Sequence, residues 1–500
     1  MAKRIAPGDL TWLLMDRPHN LMHVNGLIGF DELPDFDTYA ELIMERMVRK
    51  YRVLSQIPVE REGEWFWEDD VAFDIGNHVR RVALDDGSAE AVRQYVSDEF
   101  SRPFPEGRPL WEMQLLSGPP EDGTGGYLYS RFHHGLGDGI RLVQMLIGGC
   151  DPTEGAIPAR VGRNKSGEHT HPLERVVHVV EQSVTDTLDY VGHAGEVVVS
   201  AGRTLVTTTN PMGLAHHVGD ALKLARHPVR LIDALTGIAS LENELTNSAR
   251  ELVRMLFSDG HGAEAWSGTP GVEKSVAWIE GFPLDGLRAS TKALGGTLND
   301  VLVAAVSLAL TDYLTERGVE DVRELSWMMP VSLRPVDGNL PATLGNHFVV
   351  VMLAMPLGIR DQKALIHEIH SRTSRLKFSA EPLVAFGFQR VIAESPTAVA
   401  RRVTDFFSGK TIGVLSNVPG PRAPLSMAGA PVRSILGWVP TSGDQPLGVC
   451  LFSYDGTVNV GVATDARMIP DPLHLVELIE RHLVALAESA PAIREDATSA

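Results

Sequence analysis

The string His133-His134-Gly135-Leu136-Gly137-Asp138-Gly139 constrains this chain more than any other feature of its sequence. It joins a strand-like apolar run, residues 127–132, to a helix-like run, residues 140–147. A strand that ends in two histidines can place one imidazole at the mouth of a cleft. Imidazole titrates close to neutral pH, so such a residue can take a proton from an alcohol or amine without a cofactor. The string therefore predicts a site of acid–base chemistry at a strand–helix junction.

The other residues of the string have roles at the same junction. The Asp138 carboxylate is well placed to cap the following helix, and it could instead pair with a distant cation and hold the loop. Gly139 and the two glycines before it would let backbone and substrate approach closely. A second pair, His216-His217, has no strand before it and lacks the final glycine, so we interpret it as a surface or helix-end pair.

Composition argues against several classes of function. The formal net charge is −19, which disfavours nucleic acid as a partner because phosphate contacts need a basic surface. The two cysteines, Cys150 and Cys450, lack the spacing of a metal site and fit a reducing cytoplasm. The longest apolar stretches, residues 301–310 and 348–359, are shorter than the roughly 20 residues that a membrane span needs. Residues 213–235 are amphipathic, which fits either a lipid surface or a helix that covers the core.

The spacing of apolar residues predicts several individual elements. It predicts helices over residues 37–51, 88–100 and 284–294, with Ser88 as the cap of the second. Two strand-like runs around Tyr454-Asp455-Gly456 predict a hairpin.

Alternating strand-like and helix-like segments predict an α/β fold. The alternation covers the first 150 residues and returns after a loop at residues 258–270, whereas residues 173–257 look mostly helical. We therefore expect two α/β lobes, residues 1–160 and 269–500, joined by a linker and helical connector at residues 161–268. The segment His367-Glu368-Ile369-His370 has the wrong spacing for a zinc motif, and neither a metal nor an organic cofactor is expected.

Several further motifs accompany the histidine string. They are Trp12 to Asp16, Pro109-Leu110-Trp111, Asn299-Asp300-Val301, Pro330-Val331-Ser332-Leu333-Arg334, Gly345-Asn346, Ser416-Asn417-Val418-Pro419-Gly420-Pro421 and Ser453-Tyr454-Asp455-Gly456. With these motifs the chain resembles the bacterial wax ester synthase/acyl-CoA:diacylglycerol acyltransferase family. That family belongs to a wider group of two-lobed acyltransferases built like chloramphenicol acetyltransferase and peptide-synthetase condensation domains.

The resemblance implies two such lobes with a tunnel between them. The reaction it implies is acyl transfer from long-chain acyl-CoA to diacylglycerol or a long-chain alcohol, which yields triacylglycerol or wax ester. His134 would face the tunnel as general base, His133 would support the loop, and Asp138 would pair with Arg334. Coenzyme A would enter as part of the donor. The candidates for a local basic cluster that binds it are Arg131, Arg141, Lys410 and Arg422.

Further substrate-binding candidates each have a structural alternative. Trp111 would line the acyl channel, although a tryptophan in a strand is more often part of the core. Asn299 and Asp300 would align the substrate or its oxyanion, or else cap a helix. Ser416 and Asn417 would shape the cleft, or else serve only the turn that follows them.

Two other functions stay open at this point. One is a condensation-type acyltransferase that uses carrier-protein thioesters, and the other is a lipid-surface protein with an inactive acyltransferase fold. The Pro109-Leu110-Trp111 and Asn299-Asp300 motifs favour free acyl-CoA as the donor. The intact histidine string favours an enzyme. The expected location is the cytoplasm, with peripheral attachment to the inner membrane face or to lipid inclusions.

Overall fold

The computed structural model describes residues 2–118, 125–153, 266, 268–319, 323–332, 344–346, 348–378, 401, 404–405 and 408–497. Nearly all of the predicted connector, including the amphipathic stretch at 213–235 and the pair His216-His217, lies outside the described residues. Arg334 lies outside them as well. The described residues belong to one structural unit, residues 1–158 and 255–500.

The described residues form strands and helices in the following order. The strands are β1 (Lys3–Arg4), β2 (His23–Phe30), β3 (Gln56–Arg61), β4 (Glu64–Asp69), β5 (Val79–Ala83), β6 (Trp111–Ser117), β7 (Gly126–His133), β8 (Asp151–Pro152), β9 (Lys274–Pro283), β10 (Glu324–Ser332), β11 (Phe348–Pro356), β12 (Gly413–Pro419), β13 (Leu425–Met427), β14 (Ala430–Trp438), β15 (Leu447–Tyr454) and β16 (Thr457–Asp465). The α-helices are α1 (Pro7–Met15), α2 (Phe36–Ile43), α3 (Ala89–Phe100), α4 (Gly139–Ile147), α5 (Leu284–Leu294), α6 (Leu298–Glu316), α7 (Gln362–Phe378) and α8 (Pro472–Ala497).

Two mixed sheets organise the protein. The first has the order β5-β6-β7-β2-β14-β13-β8 and the second has the order β11-β10-β12-β15-β16-β9, beside a small sheet β1-β4-β3. Strands β13 and β14 come from the second half of the chain but pair within the first sheet, where β14 runs antiparallel to β2. The α/β prediction is confirmed. The lobe boundaries stay a prediction. Residues 425–438, which belong to the predicted second lobe, form two strands of the first sheet.

Local patterns predicted the isolated elements well. Helix α5 has the predicted bounds, and Ser88 caps α3 as expected by accepting a hydrogen bond from the Ala91 N–H. The predicted hairpin is β15–β16, and its turn residues Asp455 and Gly456 have φ angles of 40° and 77°. The helix predicted over residues 37–51 is shorter, because α2 ends at Ile43 and continues as a π-helical turn to Val48.

Helix α6 forms the centre of the core beside the second sheet. Its residues are apolar on nearly all sides, and most of them are buried. Within the described residues it is the one helix long and apolar enough to cross a membrane by length and composition, and 78% of its apolar window is buried inside the protein. An all-round apolar helix is typical of a buried core position.

Candidate active site

Strand β7 lies between β6 and β2 in the first sheet, and the two histidines stand at its C-terminal end. His133 is the last residue of the strand, and it lies opposite His23 of β2. The backbone N–H of His133 donates to the Leu110 carbonyl at 2.9 Å, and that of His134 donates to the Met22 carbonyl at 2.7 Å. Because successive residues of an extended chain point to opposite sides, the two imidazoles face different surroundings.

His134 lies in an aromatic stack. Its ring is 4.1 Å from the Trp12 ring between centroids, with 26° between the planes, and 5.5 Å from the Phe348 ring. The residue is only 6% exposed, and this burial lowers the pKa of the imidazole from 6.5 to about 3. Interactions with the residue's own backbone carbonyl and with the Asn346 side chain raise the pKa, but they offset only part of the decrease caused by burial. His134 is therefore neutral at physiological pH, which is the state that a general base needs.

The ring nitrogens of His134 differ in their surroundings. Nδ1 is buried and has no hydrogen-bond partner among the described residues. Because a substrate cannot reach a buried atom, Nε2 is the ring nitrogen left to accept a proton from a substrate.

His133 is held on both of its ring nitrogens. The Gly135 N–H donates to Nδ1 at 2.9 Å, so Nδ1 carries a lone pair, and the proton lies on Nε2. That nitrogen lies 3.1 Å from Oδ2 of Asp16. The other oxygen of Asp16 accepts the Met22 N–H at 2.6 Å. His133 thus contacts the loop and the start of the chain, as expected of a residue that supports the loop.

Asp138 begins helix α4. It is the N-cap residue, and its Oδ1 accepts the Arg141 N–H at 2.9 Å, so capping is one role that the structure shows. Its proposed partner Arg334 lies outside the described residues, and that ion pair stays a prediction. Gly139 is the first residue of α4, and no described atom lies within 4 Å of the position that a Cβ would take there. Contact of Gly139 with substrate stays a prediction.

Two of the predicted substrate-binding motifs meet at the start of α6. The Asn417 side chain donates to Oδ1 of Asn299 at 2.8 Å. This bond joins the Asn299-Asp300 motif to the Ser416-Asn417 motif on β12. The neighbouring Ser416 is buried within the same strand. With its oxygen engaged, Asn299 keeps its amide N–H groups as donors. The two asparagines form one polar pair, and their contact with substrate stays a prediction.

Asp300 has a structural role that goes beyond the predicted helix cap. The N-cap of α6 is Thr297, not Asn299 or Asp300, and Asp300 completes a capping box from the third helical position. The Asp300 carboxylate also accepts from Nδ1 of His370 at 2.7 Å and from the Thr373 hydroxyl at 2.8 Å. Burial acts to raise the pKa of Asp300, but these hydrogen bonds outweigh it and lower the pKa. Asp300 therefore ties α7 to the start of α6.

The structure places two other candidates inside the protein. Trp111 is fully buried, its indole N–H donates to the Leu54 carbonyl at 2.7 Å, and its ring stacks on His78. These are contacts of a core residue, and its contact with an acyl chain stays a prediction. Arg131, a candidate for binding coenzyme A, is also fully buried, and it pairs with Glu112 at 2.9 Å. The expectation that Arg131 binds phosphate is therefore wrong, because its guanidinium is enclosed in an internal ion pair.

The surroundings of the two histidines also contain residues for which the sequence predicted no individual role. They are Asp9, Trp12, Asp16, Asn346 and Phe348. The signal available for the first three was their spacing along the chain.

Two small adjoining crevices share Phe100, Lys274 and Thr441, and neither is lined by the two histidines. The tunnel stays a prediction. Among the described residues, no group of three or more His, Cys, Asp or Glu side chains could hold a metal ion.

Comparison with known proteins identifies the family of this site. The model of the wax ester synthase/diacylglycerol acyltransferase catalytic domain matches residues 5–302, which include the histidine string and the Asn299-Asp300 pair. The chain belongs to the wax ester synthase/diacylglycerol acyltransferase family. The C-terminal domain model of the same family matches residues 344–487. The chain is therefore an acyltransferase, as the resemblance implied.

Individual relatives agree with this assignment over nearly the full length of the chain. An O-acyltransferase named WSD from Acinetobacter baylyi is 22% identical over 513 residues, which is 99% of each chain. The structure of a wax ester synthase/diacylglycerol acyltransferase from Marinobacter aquaeolei VT8 is 19% identical, with a TM-score of 0.62, and the match covers 98% of this chain and 100% of that one. The first condensation domain of the calcium-dependent antibiotic synthetase, at 14% identity and a TM-score of 0.51, matches over 98% of this chain and 96% of its own. These structures confirm the predicted fold.

Proposed function

We propose that this protein transfers a long-chain acyl group from acyl-CoA to the hydroxyl of diacylglycerol or of a long-chain alcohol, with His134 as the general base. The observation that carries the proposal is the neutral imidazole of His134, buried at the end of β7 within the family's catalytic domain. Both acceptors present one hydroxyl on an apolar body. A hydrophobic site separates chain lengths poorly, by about 1–3 kcal/mol per methylene, so we expect broad specificity.

The proposed reaction needs one proton transfer in each direction. The acceptor hydroxyl donates its proton to Nε2 of His134 as its oxygen attacks the thioester carbonyl. The tetrahedral intermediate carries an oxyanion, for which the amide N–H groups of Asn299 are the proposed donors. When the intermediate collapses, the C–S bond breaks, and the coenzyme A sulfur takes the proton back from His134. The products are the ester and free coenzyme A, and the reaction draws on no metal or further cofactor.

The remaining residues have supporting roles in this proposal. Asp138 holds the turn between β7 and α4, and Gly139, which no described atom approaches at the Cβ position, is proposed to let substrate come close to the start of that helix. The location is proposed to be cytoplasmic, with peripheral attachment to the inner membrane face or to lipid inclusions, because both acceptors are insoluble in water. No described surface identifies the attachment site, so fractionation of cells that produce the tagged protein is the test of location.

The first experiment measures coenzyme A release from palmitoyl-CoA by the purified protein. It is run with diacylglycerol, with hexadecanol and with neither, beside the His134→Ala variant. Release should depend on an alcohol and should fall about 10²- to 10⁴-fold in the variant, the usual contribution of a positioned base. His367→Ala is the matched control, because His367 is exposed on α7.

Two results would contradict the proposal. Full activity of a folded His134→Ala protein would remove His134 from the chemistry. No release with any alcohol from the folded wild-type protein would move the assignment toward a carrier-dependent donor. That second alternative is tested directly by replacing palmitoyl-CoA with a palmitoylated carrier protein in the same assay.

A further inference from the structure

Helix α1 carries three residues directed at the loop of residues 133–139, and a fourth follows its last residue. Asp9, Trp12 and Leu13 have the spacing i, i+3 and i+4, which places them on one face of the helix. Asp16 is the C-cap residue of α1, and these four residues are called the stripe. We propose that this stripe holds the two histidines in their working positions, with Asp16 and Trp12 as positioning residues for the acyl transfer. The inference rests on the proposed role of His134 as the base.

Asp16 fixes the protonation pattern of His133. Its Oδ2 lies 3.1 Å from Nε2 of His133, and its Oδ1 accepts the Met22 N–H at 2.6 Å. Both carboxylate oxygens are therefore used as acceptors. An asparagine at this position offers one oxygen and one NH₂ group, so one of the two N–H donors would face another donor. His133 cannot adapt by moving its proton to Nδ1, since Nδ1 already accepts the Gly135 N–H.

Trp12 fixes the ring of His134. The two rings stack at 4.1 Å, and Phe348 lies 5.9 Å from Trp12 and 5.5 Å from His134. The indole covers one face of the imidazole, which restricts rotation of the ring and excludes water from that face. The same contact contributes to the burial that keeps the imidazole neutral. Trp12 thus affects both the orientation and the basicity of His134 without contact with the reacting atoms.

The other two residues of the stripe anchor the helix. Asp9 accepts from the backbone N–H of Asn346 at 3.2 Å and from its side chain at 2.8 Å. The Asn346 side chain also donates to the His134 carbonyl at 3.0 Å. Leu13 packs on the loop so closely that a Cβ added at Gly135 would lie 2.8 Å from its Cγ. Every member of the stripe therefore contacts the loop or a residue that binds it.

The first test compares Trp12→Leu, Trp12→Phe and Asp16→Asn with the control Thr11→Ala. The Thr11 hydroxyl bonds to the Pro7 carbonyl in an exposed part of the same helix. We expect Trp12→Leu and Asp16→Asn to lower kcat at least tenfold with KM changed less than threefold. Trp12→Phe should stay within threefold of wild type, because phenylalanine restores a stacking ring. In Trp12→Leu the acid limb of the pH profile should also move up toward pH 6.5.

A second test does not depend on turnover. Diethyl pyrocarbonate acylates accessible neutral imidazoles, and peptide mass spectrometry locates the modified residues. His134 should resist the reagent in the wild-type protein and react in Trp12→Leu, whereas His367, which is exposed on α7, should react equally in both. If His134→Ala were fully active, the proposed function would fail while this labelling result could still hold.

The positioning role has its own contradicting results. An unchanged kcat and pH profile in Trp12→Leu would overturn it, as would a loss in Thr11→Ala as large as that in the stripe variants. A loss confined to KM would also overturn it, since it would place Trp12 in substrate binding. If Trp12→Leu does not fold, Trp12→Phe and the labelling of Asp16→Asn decide the question. If His134 then resists the reagent in both variants as it does in the wild-type protein, the positioning role is rejected. If His134 reacts in Asp16→Asn but not in Trp12→Phe, the role is supported.

Discussion

The acid side of the pH profile of kcat/KM tests the environment of His134 directly. Burial lowers the pKa of its imidazole to about 3, whereas an exposed histidine titrates near 6.5. At pH 5 a histidine of ordinary pKa is only about 3% neutral, so a base of that kind would lose about 30-fold of its rate. At the same pH a group with a pKa of about 3 is about 99% neutral. We therefore expect kcat/KM at pH 5 to lie within about twofold of its value at pH 7.5.

The assay follows initial coenzyme A release at low donor concentration, because kcat/KM reports ionisation of the free enzyme and free substrate. An S-palmitoyl pantetheine donor serves as the control, since it lacks the phosphates of coenzyme A and their own titration. Near-ultraviolet circular dichroism at each pH confirms that the protein is folded. An acid limb with its midpoint near pH 6.5 for both donors would refute the reasoning, because it would show a hydrated imidazole.

Four further predictions concern stability and the supporting residues. Burial also holds the pKa of His23 well below 6.5, so the unfolded chain binds more protons below that pH and stability rises with pH; His23→Phe should flatten this rise in urea unfolding at pH 5 and pH 7. Glu112→Ala leaves the fully buried guanidinium of Arg131 with only the more distant Glu99 carboxylate among the described residues, at 3.7 Å, and should cost up to about 3–5 kcal/mol in the same assay. Asp300→Asn should lower Tm, with about 1–3 kcal/mol lost for each buried donor left without an acceptor. Asp138→Asn keeps a good N-cap, so a loss of about 3–5 kcal/mol would reveal the pair with Arg334, and an unchanged Tm would exclude it.

Features that depend on neighbours in the sequence could be predicted from the sequence. The strand-to-helix junction at residues 133–139 followed from the change in apolar period on either side of it. The hairpin at Asp455-Gly456 followed from its turn residues, and the helix at residues 284–294 from its pattern. Each of these features is determined by local backbone preferences and by the spacing of apolar side chains, which a single sequence contains.

Features that depend on distant partners could not be predicted in this way. The insertion of β14 beside β2 joins strands about 400 residues apart, and no local pattern encodes that pairing. The glycines show the same limit. Gly135 was expected to make room for the substrate, but the structure shows the Leu13 side chain packed against it. A glycine in a sequence indicates that another group packs closely against the backbone at that position. Whether this group is a substrate or a side chain of the protein depends on the tertiary fold.

The low pKa of His134 fits its proposed role when the charges of the transition state are considered together. A lone imidazolium is unfavourable in the stack formed with Trp12, which is why the free enzyme holds the ring neutral. During attack the imidazolium forms together with an oxyanion in the same dry space. Two opposite charges about 4 Å apart attract by about 1 kcal/mol in water but by about 4 kcal/mol at an effective dielectric constant of about 20. The dry surroundings that disfavour the isolated cation therefore strengthen its attraction to the oxyanion, so the site stabilises the charged pair only as the reaction creates it.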